Sequence, residues 1–480
     1  MADASELTRL TARAAVDLLK TGEITPLDLI DAAVARIEAV DGAVNALPIR
    51  CYDRARDHAR RLMAGEGRGA AEHPAWLAGL PIAIKDLMDV SGVRNTYGCP
   101  VFADNVSKRS DVLVERLEGR GGVVLAKSST PEFGSLPVTW NPIHGHTRSP
   151  WDTRLSAGGS SGGAAAALAA GEVWLAQGSD IGGSLRIPAA FCGVVGLRPS
   201  AGRVPRMLGG RAFNPLAVQG PMARNVADCA LFLDAMAGYW AGDPLTLPAP
   251  EIPYARLAAE PRAPKRVGFS PDLGCAQVEP EVREICAAAA ARFADAGAVV
   301  EEAGPDLSGF ERAYQVFFQM SLLPDREVLV REHRDAIFPG IVAAIEAAKR
   351  LTGDDIAQAE RDRAALFGRV AAFFERYDIL VCPTVTTPPF PAEQRGPDDR
   401  ERVSLEYDFD WIAPCTATVL TSCPLIALPA GFTRDGRPVG LQIMGRPRDE
   451  AGIIQAAAVL EPMLGVADRL PIDPRTNRAA

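Results

Sequence analysis

EVWLAQGSDIGGSLRIPAAFCGVVGL, residues 172 to 197, places two short apolar runs, EVWLAQ (172–177) and VVGL (194–197), on either side of a glycine-flanked serine, Ser184. Apolar runs of this length without strict alternation suit strands buried on both faces, which requires a sheet covered by helices. The same kind of run recurs as LPIAI (80–84), GVVLA (122–126), KRVGF (265–269), DILVCP (378–383), PLIALP (424–429) and VGLQIMG (439–445). Helical patterns lie between them. Gly22 ends an opening helix, and Thr25 and Pro26 start a second one whose Leu27, Ile30, Val34 and Ile37 repeat at helical spacing. The reading is an α/β fold. No linker, repeat or low-complexity break divides the chain, so one domain is expected over 1–480.

Two stretches differ from this alternation. Residues 305–365 are mostly helical with few strand signals, and 384–411 form a long Pro-rich, charged connection. Long loops in compact domains are functional lids or solvated excursions, and both readings stand for 384–411.

Composition narrows the classes of function. A net charge of -9 without a basic block argues against a nucleic-acid surface. Nine cysteines without a CxxC pair, and five histidines at 58, 73, 144, 146 and 333, form neither a disulfide framework nor a zinc-ligand pattern. The opening MADASELTRLTARAAVDLLKTGEITP is amphipathic and mixed in charge, and no apolar run approaches a membrane span. The expectation is a soluble, cytoplasmic protein without metal or cofactor. It would act on a small molecule, engage neither nucleic acid nor membrane, and be free to pair as a homodimer.

Three segments carry candidate chemistry: GLPIAIKDLMDV with Lys85, LSAGGSSGGAAAALAAG with Ser160 and Ser161, and GSDIGGSLRIPAA with Ser184. A lysine after a strand is ordinarily a surface residue whose stem lies along apolar neighbours. Glycine clusters are ordinarily turns or close packing. Here, however, SDIGGS offers successive backbone N–H groups from Ile181, Gly182 and Gly183, the arrangement an oxyanion hole needs. A serine is a poor nucleophile until a base takes its proton, and no histidine sits in an obvious motif. A lysine can serve if burial carries its pKa well below the free value of about 10.4. GSSGG also fits the GxSxG elbow of α/β-hydrolases, with Ser161 as nucleophile and His333 as the only histidine downstream of 146.

Together these segments resemble the amidase signature family of serine hydrolases. The resemblance runs through KSSTPEFGS, TRSPWDTRLSAGGSSGG, GSDIGGSLRIPAAFCGVVGLRPSAGRVPR and GPMARNVADCALFLDAM to SCPLIALPAGFTRDGRPVGLQIMGRPRDE near the end, and the segments that carry it centre on about 75–235. It implies a single large domain with a central twisted mixed β-sheet covered by helices on both faces. It also implies a Ser–cis-Ser–Lys triad formed by Ser184 as nucleophile, Ser160 as bridging acid and base, and Lys85 as base. Amides of Ile181, Gly182, Gly183 and Ser184 would line the oxyanion hole, supported by Ser161, Ser179, Asp180 and Arg186. The implied activity is cleavage of the C–N bond of amides or carbamates through an acyl-enzyme, with esterase side activity. An alternative within the family is the glutamine-hydrolysing subunit of a tRNA amidotransferase, which typically has glutamine where Ile187 stands here.

The pocket wall is expected from 95–102, 203–218, 305–345 and 384–411. Met207, Leu208, Phe213, Phe317 and Met320 would make it roomy and apolar, favouring a neutral aryl or alkyl amide or carbamate.

Overall fold

The computed structural model describes residues 4–206, 212–397 and 410–476. One sheet of eleven strands runs through these described residues. In chain order they are β1 (Ile49–Arg50), β2 (Pro81–Lys85), β3 (Val123–Ser128), β4 (Leu175–Asp180), β5 (Val195–Arg198), β6 (Val218–Ala223), β7 (Arg266–Phe269), β8 (Val299–Glu302), β9 (Ile379–Pro383), β10 (Leu425–Phe432) and β11 (Pro438–Met444). Their order across the sheet is β1-β3-β2-β4-β6-β5-β10-β11-β9-β7-β8. The sheet is mixed: β2 runs parallel to β3 and β4, and β7 parallel to β8 and β9, while β6 is antiparallel to both β4 and β5.

Alternate residues of the central strands feed two different cores, as the pleat requires. Val381 and Ile443 enter one; Leu380, Cys382 and Met444 enter the other. Both faces are therefore buried, which is why these strands read as continuous apolar runs.

The two opening helices form as expected, α1 over Ala12–Thr21 and α2 over Pro26–Val44. Thr25 and Asp28 close a capping box at the start of α2. The alanine-rich run becomes α3 (Gly162–Ala170), every residue of which is buried, and α4 (Arg186–Cys192) follows the glycine loop. The region after 305 is a helical layer of α5 (Phe310–His333), α6 (Pro339–Ala348) and α7 (Gly353–Phe374).

The connection 384–411 opens as buried chain, while Pro391, Glu393 and Asp410 are exposed. Thr384 to Phe390 are buried, and Phe390 meets Phe191 and Trp411 edge-on at 5.7 and 5.1 Å. Its aromatic content explains the burial, because Phe390 fills core space between α4 and Trp411. Residues 398–409 of the expected lid lie outside the described residues.

Candidate active site

Parallel pairing brings the carboxyl ends of β2 and β4 side by side, and the site grows from those ends. Lys85 closes β2, and its N–H donates to Gln177 Oε1 on β4 at 3.1 Å. The Lys85 side chain is 0% exposed. Its Nζ lies 2.7 Å from Ser160 Oγ, 2.8 Å from Ser161 Oγ and 3.1 Å from Ser179 Oγ. Desolvation by burial pulls the amine down to about 7, against an upward pull from the Asp180 carboxylate. Near neutral pH much of it is therefore unprotonated.

Ser160 and Ser161 sit between the strand Asp152–Ser156 and the start of α3, after a cis Gly159–Ser160 peptide. Only glycine fits at 159, where a Cβ would lie 2.6 Å from the Val138 carbonyl carbon. Ser161 is tied on both sides. Its N–H donates to Ser184 O at 3.2 Å, its hydroxyl donates to Ser179 O at 3.4 Å, and it receives the Ser179 N–H at 3.3 Å.

Asp180 ends β4, and its carboxylate organises the loop that follows. It accepts from Gly183 N–H at 2.9 Å, from Leu185 N–H at 3.2 Å and from Arg186 Nε at 3.0 Å. The Arg186 and Arg198 guanidinium groups overcome its desolvation and hold the carboxyl well below the usual range. Arg186 also donates to Gln442 Oε1 at 2.7 Å and to Thr418 Oγ1 at 2.9 Å, anchoring α4 to β11 and to the helix Ala413–Val419.

This use of the Gly183 N–H corrects one expectation: it serves Asp180 and is not an open donor. The N–H groups of Ile181, Gly182 and Ser184 have no acceptor among the described residues. Of these residues Ile181 and Ser184, the latter 7% exposed, border a cavity of about 200 Å³ together with Ser160, while Gly182 is buried between them. Ser161 does not line that cavity, and neither do any of the five histidines. His333 lies in the exposed last turn of α5. The elbow arrangement around Ser161 is thus absent from the described residues.

Two of the expected segments supply apolar wall, 95–102 through Tyr97 and 203–218 through Val218, but Phe213, Phe317 and Met320 do not line it. Leu87, Met88, Tyr97, Phe133 and Val218 line the cavity. Phe213 is 77% exposed, and Phe317 is buried in the helical-layer core beneath the Arg363 guanidinium of α7, 5.3 Å away. Met320 packs against the same core, and α5 presents Arg326 to the cavity in its place. Helical periodicity explains the switch, since the face of α5 that packs on α6 and α7 is the apolar one. Met207 and Leu208 lie outside the described residues.

Two polar groups near the site had little signal in the chain. Arg198 reaches Asp180, and Gln177 holds Lys85, only through sheet pairing. Lys127 did carry a sign, because β3, like β2, ends on lysine or one residue past it. Its buried Nζ donates to Asp86 Oδ1 at 3.1 Å, to Met88 O at 2.7 Å and to Asn95 Oδ1. Among the described residues, no group of three His, Cys, Asp or Glu side chains could hold a metal, and no helix is long and apolar enough to cross a membrane.

Comparison with known proteins finds relatives along almost the whole chain. An acylamidase of Rhodococcus erythropolis is 39% identical over 463 residues, covering 94% of this chain and 95% of its own length. One of the subunits of the glutamyl-tRNA(Gln) amidotransferase of Moorella thermoacetica is 35% identical over 512 residues, covering 96% of this chain and 100% of its own. A 6-aminohexanoate cyclic dimer hydrolase superposes with a TM-score of 0.87 at 29% identity, over 97% of this chain and 99% of that one. A bacterial aryl acylamidase of the amidase signature enzymes superposes equally well, 0.87 at 28% identity, over 96% and 99%. The amidase family model matches residues 28–454, and the chain accordingly belongs to the amidase family and is a hydrolase of amide C–N bonds.

Proposed function

We propose that this hydrolase cleaves neutral aryl or alkyl amides, and carbamates of similar shape, through an acyl-enzyme on Ser184. The observation that carries the reading is the 2.7 Å approach of Lys85 Nζ to Ser160 Oγ in a buried site bordering the same cavity as Ser184.

Neutral Lys85 accepts the Ser160 proton as Ser160 Oγ accepts that of Ser184, and Ser184 Oγ attacks the acyl carbon. The carbonyl π electrons move onto oxygen, where the Ile181, Gly182 and Ser184 N–H groups receive the charge. When the tetrahedral centre collapses, the C–N bond breaks and Ser160 delivers a proton to the departing nitrogen, with Lys85 returning its own to Ser160. Water, deprotonated along the same chain, then releases the acid. No hydrogen bond joins Ser160 Oγ to Ser184 Oγ in the described structure; contacts of this kind tighten when substrate binds.

Support for a neutral substrate comes from Leu87, Met88, Tyr97, Phe133 and Val218, which share the wall with Asp111, Gln219 and two arginines, and from the acylamidase relative. The two arginines in the wall are engaged with the protein: Arg326 lies 4.1 Å above the Phe133 ring, and Arg206 donates to Asn214 O at 2.7 Å. The test is a hydrolysis screen of p-nitroacetanilide, an aryl carbamate, an aryl ester and glutamine, with Ser184→Ala as control. Release of p-nitroaniline that vanishes in Ser184→Ala is expected. Turnover confined to glutamine would favour the amidotransferase reading, and turnover confined to small charged amides would overturn the substrate class.

A further inference from the structure

Asp180 C=O and Ile181 N–H are two ends of one peptide unit. Arg198 Nη1 donates to the Asp180 carbonyl oxygen at 2.7 Å and reaches Asp180 Oδ1 at 3.2 Å, while Nη2 donates to Leu216 O at 2.8 Å. At the other end of the unit, the Ile181 N–H has no acceptor among the described residues, and Ile181 lines the cavity with Ser160 and Ser184. We propose that Arg198 is a positioning residue for amide hydrolysis, fixing the Asp180–Ile181 peptide plane and polarising it so that the Ile181 N–H becomes a stronger oxyanion donor. The assignment rests on the reading of Ser184 as nucleophile and of the Ile181 N–H as an oxyanion donor.

Three features carry it. The first is geometric. A peptide plane held at its carbonyl oxygen cannot swing its N–H away, and an oxyanion hole gains its effect from donors that need no reorganisation during the reaction. The second is electronic. A cation bonded to the carbonyl oxygen draws density through the amide, and bonds in such chains strengthen one another, more so away from water. Arg198 is 1% exposed, so water does not screen it.

The third is charge balance. Arg186 and Arg198 both contact the single carboxylate of Asp180, and all three side chains are sealed from solvent. The cluster therefore holds one positive charge in excess, directly behind the loop where negative charge develops in the reaction. Burial presses the Arg198 guanidinium down to about 10, which leaves it charged at neutral pH. A purely structural tie from β5 to the end of β4 and to Leu216 would need neither the excess charge nor a bond to this particular carbonyl.

The experiment compares Arg198→Gln and Arg198→Lys with wild type, after titrating intact sites with a fluorophosphonate. It reads kcat per titrated site, KM, and the inhibition constant of an aryl trifluoromethyl ketone, which forms an anionic adduct on the nucleophile. Arg198→Gln is expected to lower kcat by about tenfold or more, as partial loss of an oxyanion donor should. The ketone should weaken by a similar factor while KM stays within about threefold, because substrate binds without the developed charge. Arg198→Lys, which keeps a cation, should recover part of both losses. If the Gln variant does not fold, the Lys variant decides on the same constants, with a loss in both expected. Unchanged kcat per site and unchanged ketone affinity would overturn the assignment, however much the melting temperature falls. Ketone binding of undiminished affinity to Ser184→Ala, measured by calorimetry, would instead overturn the reading of Ser184 on which the assignment rests.

Discussion

Lys85 Nζ stands 2.7 Å from Ser160 Oγ and 2.8 Å from Ser161 Oγ, within hydrogen-bond reach of two adjacent hydroxyls at once. The Ser161 proton is directed to Ser179 O, so Ser161 can only accept from the amine, as can Ser179 Oγ from 3.1 Å. A neutral amine has two hydrogens and one lone pair. In the proposed mechanism a neutral amine whose two hydrogens go to Ser161 and Ser179 keeps its lone pair for Ser160, the hydroxyl of this adjacent pair that also borders the cavity with Ser184.

Activity should therefore follow the unprotonated fraction of Lys85. With the amine brought to about 7 by burial, kcat/KM should fall as pH drops through that value and level off above it. A pH–rate profile from acid to mildly alkaline conditions checks this. A flat profile would remove Lys85 from the role of base.

Ser161→Ala removes one acceptor of an amine hydrogen. Accepting hydroxyls favour the charged amine, so the acidic limb of the profile should move to lower pH while the plateau falls. The fall expected is about 10- to 100-fold in kcat, the usual cost of losing a group that orients a reactive one, with KM little changed. A plateau equal to wild type would show that Lys85 needs no such orientation.

Much of this was legible in the chain because burial leaves a compositional trace. DILVCP and VGLQIMG read as strands because β9 and β11 are covered on both faces. VQGPMA (218–223) hid β6 behind a Gly-Pro pair, and VVEE (299–302) hid β8 because that edge strand is partly exposed. Ser160 and Ser184 stood out by their glycine neighbours and small-residue helix, and Lys85 by the apolar run before it. Phe317 misled because an apolar residue on a helix shows that it is buried but not against what. Arg198 could not be found this way at all, since its partner is reached only through the folded sheet.

Lys127 offers a stability test away from the reacting atoms. Its Nζ and Asp86 Oδ1 form an ion pair at 3.1 Å with both side chains almost fully buried. Lys127→Met would leave the Asp86 carboxylate buried without its cation, which costs about 3–5 kcal/mol for pairs of this type. Urea unfolding should show the midpoint moving down with the slope m unchanged. A shift below about 1 kcal/mol, the worth of an exposed pair, would mean that water reaches Asp86.

The final prediction concerns Gly182, whose N–H is one of the three open donors. A Cβ built there lies 2.4 Å from Tyr314 Oη, whereas the next atoms, Tyr314 Cζ and Thr416 Cγ2, are at 3.4 and 3.6 Å, ordinary contact distances. The backbone at 182 does not require glycine's left-handed freedom, so the obstacle to a larger residue is the phenolic oxygen. Gly182→Ala should therefore push the loop off Tyr314 and misdirect the amides, lowering kcat by about 100-fold, in the range seen when an oxyanion donor is lost. Tyr314→Phe deletes the obstructing atom. In the Gly182→Ala background it should recover much of the lost rate, although the phenol is buried beside Phe318 and its removal alone should cost some stability. Kinetics on the four members of this cycle give the coupling directly, and a favourable interaction of about 1 kcal/mol or more is expected for residues in contact. Additive losses would place the damage of Gly182→Ala in the loop backbone and not in its contact with Tyr314.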